Sequence, residues 1–275
     1  MGLRIATNIP SLTTQRNLQN VGEESAKSYA RLSSGQRITR AGDDAAGLAI
    51  SQNLESQVRG LKQAQRNAND GISMVQTAEG GLNEVSNLLI RLRELGVQAA
   101  SDTIGDTERG FVNKEYQSLK QEVDRIAQVT NFNGTNLLSG SGKELSFQVG
   151  TANGELNRIN YDPSKSDVRT STLGISGASV ASKSDAENSL SNIDEALRRV
   201  NDNRSELGAM QNRLHSSSNS LGISMENLSE AKSRISDTDI AAETSNMVKN
   251  QILQNAGISV LAQANAAPNN ALKLL

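Results

Sequence analysis

The chain is predicted to be mainly α: a long antiparallel coiled-coil helical bundle with a small β-hairpin region. Three observations predict it. From Leu190 to Ile235, the positions Leu190, Ile193, Leu197, Val200, Arg204, Leu207, Gln211, Leu214, Ser218, Leu221, Met225, Leu228, Lys232 and Ile235 follow alternating steps of three and four. That is the a/d spacing of a coiled-coil seam. The same alternation runs through Leu61, Ala64, Ala68, Gly71, Val75, Ala78, Leu82, Val85, Leu89, Leu92, Gly96 and Ala99. Aromatic residues are only 2% of the 275, with no Trp, so the bulky anchors of a thick globular core are missing.

Each element follows from a local reason. Residues 1–10 hold Leu3, Ile5 and Ile9 and end at Pro10, which suits the first turn of a helix or a break before it. Leu18, Val21, Tyr29 and Leu32 then mark a helix with a thin apolar face that stops near Ser33-Ser34-Gly35. Asp43 or Asp44 is the N-cap candidate for a second helix over 45–100. That helix continues through Gly80-Gly81, because its register is kept on both sides. Asp106 or Thr107 is expected to cap a third helix over 107–130, with Val112, Tyr116, Leu119, Val123 and Ile126 as its seam. Asn133-Gly134 is the strongest turn signal in the chain and ends that helix.

The β-hairpin region is placed within 139–184. Leu145 to Val149 alternates as a half-buried strand does, and Ile159-Asn160-Tyr161 reads as the returning strand. Val168 to Ile175 is weakly strand-like within a loop. The fourth helix covers 185–235, a rod on the order of 70 Å long at 1.5 Å per residue. One apolar stripe cannot hold such a helix alone in water, and 45–100 and 107–130 carry the matching seams. After Asp237-Thr238-Asp239, a last helix over Ile240–Ala266 spreads its apolar residues over more than one face and is expected to end at Pro268. Beyond it, Leu272, Leu274 and Leu275 add unpartnered apolar surface.

Composition narrows the function. The formal net charge of −2 offers no excess for nucleic acid or anionic lipid. No cysteine is present, so there is no disulfide and no thiolate chemistry. No run of eighteen apolar residues supports membrane insertion, and the start lacks the pattern of a cleaved secretory signal. The Arg- and Ser-rich start is interrupted by Glu23-Glu24, against a transit peptide, and Ala6 sits where myristoylation wants Ser or Thr. His215 is the lone histidine, too few for a metal centre of side-chain nitrogens. Asp43-Asp44 and Asp237-Thr238-Asp239 read as helix caps rather than catalytic carboxylate pairs. Neither a phosphate-binding glycine loop nor a nucleophile elbow occurs, so no catalytic residue, cofactor or metal site is expected.

Both ends thus carry helices that the central bundle does not need, with apolar surface unpartnered inside one chain. Copies of the chain are the economical partner, and a heterologous contact that does not close gives a helical fibre.

At this point longer motifs become specific. Leu32-Ser33-Ser34-Gly35-Gln36-Arg37-Ile38 with Ala41-Gly42-Asp43-Asp44-Ala45-Ala46-Gly47-Leu48-Ala49-Ile50, and Leu92-Arg93-Glu94-Leu95-Gly96-Val97-Gln98, closely resemble bacterial flagellin. So do Ser233-Arg234-Ile235, Asp237-Thr238-Asp239, Gln251-Ile252-Leu253-Gln254-Asn255-Ala256-Gly257, Val260–Asn265 and Leu274-Leu275. The resemblance covers 1–150 and 185–275, and only 135–184 separates the third and fourth helices, so the outer variable domains of larger members are absent.

The resemblance implies an inner-core domain from 1–43 and 236–275 and an outer-core bundle over 44–235. It implies a structural, non-enzymatic subunit that polymerises with itself, or with other flagellins, into the filament used for motility, its termini folding on assembly. It further implies an extracellular location, export unfolded without a cleaved signal peptide, and an export chaperone, cap and junction proteins as partners. Assembly contacts are expected at Leu3, Ile5, Leu18, Val21, Leu32, Ile240, Met247, Ile252, Ile258, Leu261, Leu274 and Leu275. Arg91, Leu95 and Glu115 match the flagellin surface recognised by Toll-like receptor 5, the alternative being that they hold the bundle. The rival readings are a hook-filament junction protein, a secreted coiled-coil adhesin and an enzyme on a coiled-coil scaffold. Micrometre fibres would separate the first two from a filament subunit, and a pocket of convergent polar groups would mark the third.

Overall fold

The structure, a computed structural model, describes residues 7–272. Its long helices are α1 (Ile9–Ser34), α2 (Ala45–Ala100), α3 (Asp106–Val129), α4 (Lys183–Ser236) and α5 (Ile240–Leu272). Two small antiparallel hairpins pair β1 (Asn131–Phe132) with β2 (Thr135–Asn136), and β3 (Leu145–Gln148) with β4 (Arg158–Tyr161). The chain divides into two compact units, one of Met1–Gln57 with Asn227–Leu275 and one of Val58–Glu226. The sequence placed this division at the connectors. It falls instead inside α2 and α4, where Lys232 near the end of α4 meets Glu55 in the first turns of α2 at 3.1 Å.

The Val58–Glu226 unit holds the hydrophobic core. Leu82, Val85, Leu89, Leu92 and Ala99 of α2 are fully buried with Tyr116, Val123 and Ala127 of α3 and Ile193, Ala196 and Val200 of α4. These are seam positions or their neighbours, so the three-four spacing decides which face packs. Helices α2 and α4 run antiparallel: Arg93 meets Asp194 at one end, and Asn69 accepts a hydrogen bond from Ser218 further along. Their approach is close. A Cβ at Gly96 would lie 3.0 Å from Leu190 Cδ2 of α4, and one at Gly81, against the segment that follows α3, would lie 2.7 Å from Thr130 Oγ1 and 2.8 Å from Leu138 Cδ1. The glycines that weaken helix propensity thus admit neighbours that no side chain would leave room for.

Four local features differ from the sequence reading. Asn133-Gly134 does more than end α3. With φ of 49° and 79°, the two residues make the turn of the β1–β2 hairpin, the left-handed pair such two-residue loops need. Helix α3 is capped by neither Asp106 nor Thr107: its N-cap is Gly105, and Asp106 pairs with Arg109 at 2.9 Å. Val168 to Ile175 forms turns, not a strand. Its side chains Val168, Leu173 and Ile175 are nonetheless buried, because α3 and α4 fasten the segment. Asp124 accepts from the Thr170 amide and hydroxyl at 2.8 Å each, and Arg199 donates to the Thr172 carbonyl at 2.7 Å. The fourth difference is in α5, which passes through Pro268 to Leu272.

Lys120 is the tightest of these fasteners. Its ammonium donates to the carbonyls of Ser176 at 2.7 Å and Ala178 at 2.9 Å and to Gln117 Oε1 at 3.1 Å. Burial lowers its pKa, with the Asp124 carboxylate opposing that shift. Tyr161 donates to the Leu137 carbonyl at 2.7 Å and ties β4 to the segment after β2, and burial raises its pKa.

Candidate assembly surface

The other unit is built differently. Among its described residues, Ile38 is the only apolar side chain that is buried. Helices α1 and α5 pair antiparallel, with Asn8 near Ala264, Gly257 against Leu18, and Arg31 near Glu243. The buried residues of α1 at this seam are Ser11, Ser25 and Ser28, small side chains that let the axes approach but remove little apolar area from water.

Caps and short bridges set the ends of this unit. Asp44 Oδ1 accepts the Gly47 amide at 2.8 Å and starts α2, while Asp239 Oδ1 accepts the Ala241 and Ala242 amides and starts α5. Asp43 organises the preceding turn by accepting from Thr39 and Arg40. Hydrogen bonds from the Thr39 hydroxyl and the two amides hold its carboxyl below the ordinary range. Gln36 and Asp237 form an antiparallel bridge, and Thr238 donates to the Gly35 carbonyl at 3.0 Å. The Asp43, Asp44 and Asp239 carboxylates thus serve the backbone, and that of Asp237 accepts the Ser236 hydroxyl at 2.9 Å.

The predicted assembly residues sort into three groups. Leu18, Val21, Leu32, Met247 and Leu261 lie half-buried within the unit. Ile240, Ile252 and Ile258 point outward, 54%, 62% and 53% exposed. Leu3, Ile5, Leu274 and Leu275 lie outside the described residues. Leu12, Tyr29, Val248, Leu253 and Val260, which are not among the residues named from the sequence, stand outward as well. The sequence signal for them is the spread of apolar residues over several faces of one helix.

The three receptor-type residues separate too. Arg91 donates to Glu115 at 2.8 Å and to Glu94 at 3.0 Å, and these hydrogen bonds, that to Glu115 foremost, raise its pKa. Arg91 and Glu115 are exposed, whereas Leu95 is 1% exposed and belongs to the core. The sequence grouped Leu95 with them, but it packs in the core with Leu92 and Ala99, so of the three only Arg91 and Glu115 reach the surface.

Among the described residues, no group of three or more His, Cys, Asp or Glu is placed to hold a metal, and no helix is long and apolar enough to cross a membrane.

A paired-helix unit at the two chain ends, with serines inside and isoleucines outside, defines the class: a long-helix subunit made to associate with copies of itself. Residues 5–143 match the bacterial flagellin N-terminal helical region, and residues 190–275 match the bacterial flagellin C-terminal helical region. The chain is 42% identical over 268 residues to a flagellin of Halalkalibacterium halodurans, covering 98% of each. It is 41% identical over 307 residues to a flagellin of Bacillus subtilis, covering 99% of this chain and 100% of that one. It is also 40% identical over 280 residues to the flagellar filament 30.7 kDa core protein of Treponema maltophilum, covering 98% of each. The crystal structure of Bacillus cereus flagellin superposes with a TM-score of 0.51 at 33% identity, covering 57% of this chain and 88% of that one. A putative flagellar hook-associated protein from Vibrio parahaemolyticus shares the fold, with a TM-score of 0.60 at 16% identity over 71% of this chain and 100% of that one. The chain belongs to the bacterial flagellin family. It is a structural subunit of the flagellar filament, the extracellular part of the flagellum, and it self-associates.

Proposed function

We propose that the α1–α5 unit becomes stably ordered only when a subunit docks, and that neighbouring copies cover the outward faces of both helices. One observation carries this reading: a unit that pairs two helices of 26 and 33 residues buries a single apolar side chain among its described residues. Helices with so little buried surface are marginal alone. Ile240, Val248, Ile252, Leu253, Ile258 and Val260 are each about half exposed. Completing their burial against neighbours contributes on the order of 5–10 kcal/mol per subunit before association costs.

The same marginality supports passage of an unfolded chain through an export apparatus, without a cleaved signal, and capture of its ends by an export chaperone. Cap and junction proteins would meet the same apolar faces at the two ends of the polymer. The protein has no catalytic step in this reading. A host receptor such as Toll-like receptor 5 would engage the Arg91–Glu115 face, with Leu95 acting only from beneath. A binding titration with Arg91→Ala tests that contact, and unchanged affinity would remove it.

The test of the main reading is seeded polymerisation. The concentrated full chain is expected to elongate fibres, whereas chains lacking residues 1–20 or 256–275 do not, while keeping the helicity and unfolding transition of the Val58–Glu226 unit. Truncated chains that still polymerise would overturn coupled ordering of the ends.

A further inference from the structure

Pro268 lies inside α5, which runs on to Leu272. In an α-helix the amide of residue 268 would donate to the carbonyl of residue 264, but proline has no N–H. The Ala264 carbonyl is therefore left without its helical donor. In this structure it has another: Asn8 Nδ2 donates to Ala264 O at 2.7 Å. The other end of the same amide is also occupied, since Asn8 Oδ1 accepts the Ser11 amide at 3.1 Å and caps α1. Beside it, the buried Ser11 hydroxyl donates to Asn265 Oδ1 at 2.8 Å.

We propose that Asn8 is a positioning residue for filament assembly: it sets the register of α1 against α5 by supplying the hydrogen bond that Pro268 removes. Only one carbonyl on α5 is freed by the proline, so the Asn8 amide finds a full-strength acceptor at one register of the antiparallel pair. A slip of one turn would leave both the amide and the Ala264 carbonyl unmatched. Serines at the seam cannot enforce register by shape, because Ser11, Ser25 and Ser28 offer similar small side chains at each step. The proline gap and the asparagine amide are complementary features 260 residues apart in sequence, counted from Asn8 to Pro268. The inference rests on the reading that the α1–α5 pair is completed on assembly.

The test is a double-mutant cycle on the full chain, read as the subunit concentration left in equilibrium with seeded filaments. Asn8→Ser keeps a good N-cap oxygen for α1 but cannot reach Ala264. It is expected to raise that concentration by about three- to tenfold, the net contribution of one hydrogen bond. Pro268→Ala restores the helical donor to Ala264. In that background Asn8→Ser is expected to change the concentration less than about twofold, because the interaction it removes is no longer needed. The unfolding transition of the Val58–Glu226 unit, unchanged in all four chains, shows that the subunits are folded. An equal loss in both backgrounds overturns the proposal, since Asn8 would then act on something other than the proline gap. No loss in the native background overturns it as well. Failure of the native chain itself to form filaments would refute the assembly reading instead.

Discussion

Replacing Ile252 with aspartate leaves the Val58–Glu226 unit folded and raises the subunit concentration needed for filaments by about a hundredfold or more. Ile252 is 62% exposed in the single chain, so the substitution removes little that the subunit itself uses. In the proposed assembly a neighbouring copy covers the same position, and an aspartate there would be a carboxylate withdrawn from water with no cation supplied. Such a group costs several kcal/mol unless it is paired. The control is Lys143→Glu, a larger change of charge at an exposed position of the Val58–Glu226 unit. Sedimentation of seeded reactions over a concentration series measures both. An Ile252→Asp chain that polymerises like the native one would place this face outside the assembly contacts.

Lys120→Ala is expected to destabilise the Val58–Glu226 unit by about 3 kcal/mol, because the buried Ala178 carbonyl and the part-buried Ser176 carbonyl lose a charged donor together. For a unit of this size that lowers the unfolding midpoint by roughly 5–10 °C. The effect is local first. The loop carrying Ser176 and Ala178 loses its strongest tie to α3, while Asp124 still holds Thr170 and Arg199 still holds Thr172. Limited proteolysis therefore cuts near 174–182 before the helices, and thermal unfolding followed by circular dichroism gives the shift. Lys120→Met separates packing from hydrogen bonding: it keeps the aliphatic stem and still loses both carbonyl contacts, so it shows most of the same loss.

The helical framework was legible in the sequence where one physical signal dominated. Seam spacing located the packed faces of α2 and α4, because residues such as Leu89, Leu92, Ile193 and Val200 have no other use at that step. Asp44 and Asp239 were legible as caps, since a carboxylate before a helical run has free amides to accept. The misses arose where a partner distant in sequence overruled a local rule. Proline ordinarily ends a helix, but Asn8 satisfies the carbonyl that Pro268 orphans, and α5 continues. Val168, Leu173 and Ile175 are apolar enough for a strand, yet Asp124, Lys120 and Arg199 fasten their segment through its backbone and leave it as turns.

The assembly surface was half legible. Apolar residues on several faces of α5 announced that it needs more than one neighbour. Spacing alone could not say which of them face α1, so Met247 and Leu261 were grouped with Ile252 and Ile258, though the first two are half-buried and the last two stand outward. Leu95 shows the same limit: a motif match places it beside Arg91 in sequence, while the helix turns it into the core.

Amide hydrogen exchange across α5, compared between free subunits and seeded filaments, tests the central claim most directly. The account predicts fast exchange over Ile240–Ala266 in the free subunit, strong protection of the same amides in the filament, and little change in α2 between Leu82 and Ala99. Equal protection of α5 in both states would contradict it, because the terminal pair would then be stable without its neighbours.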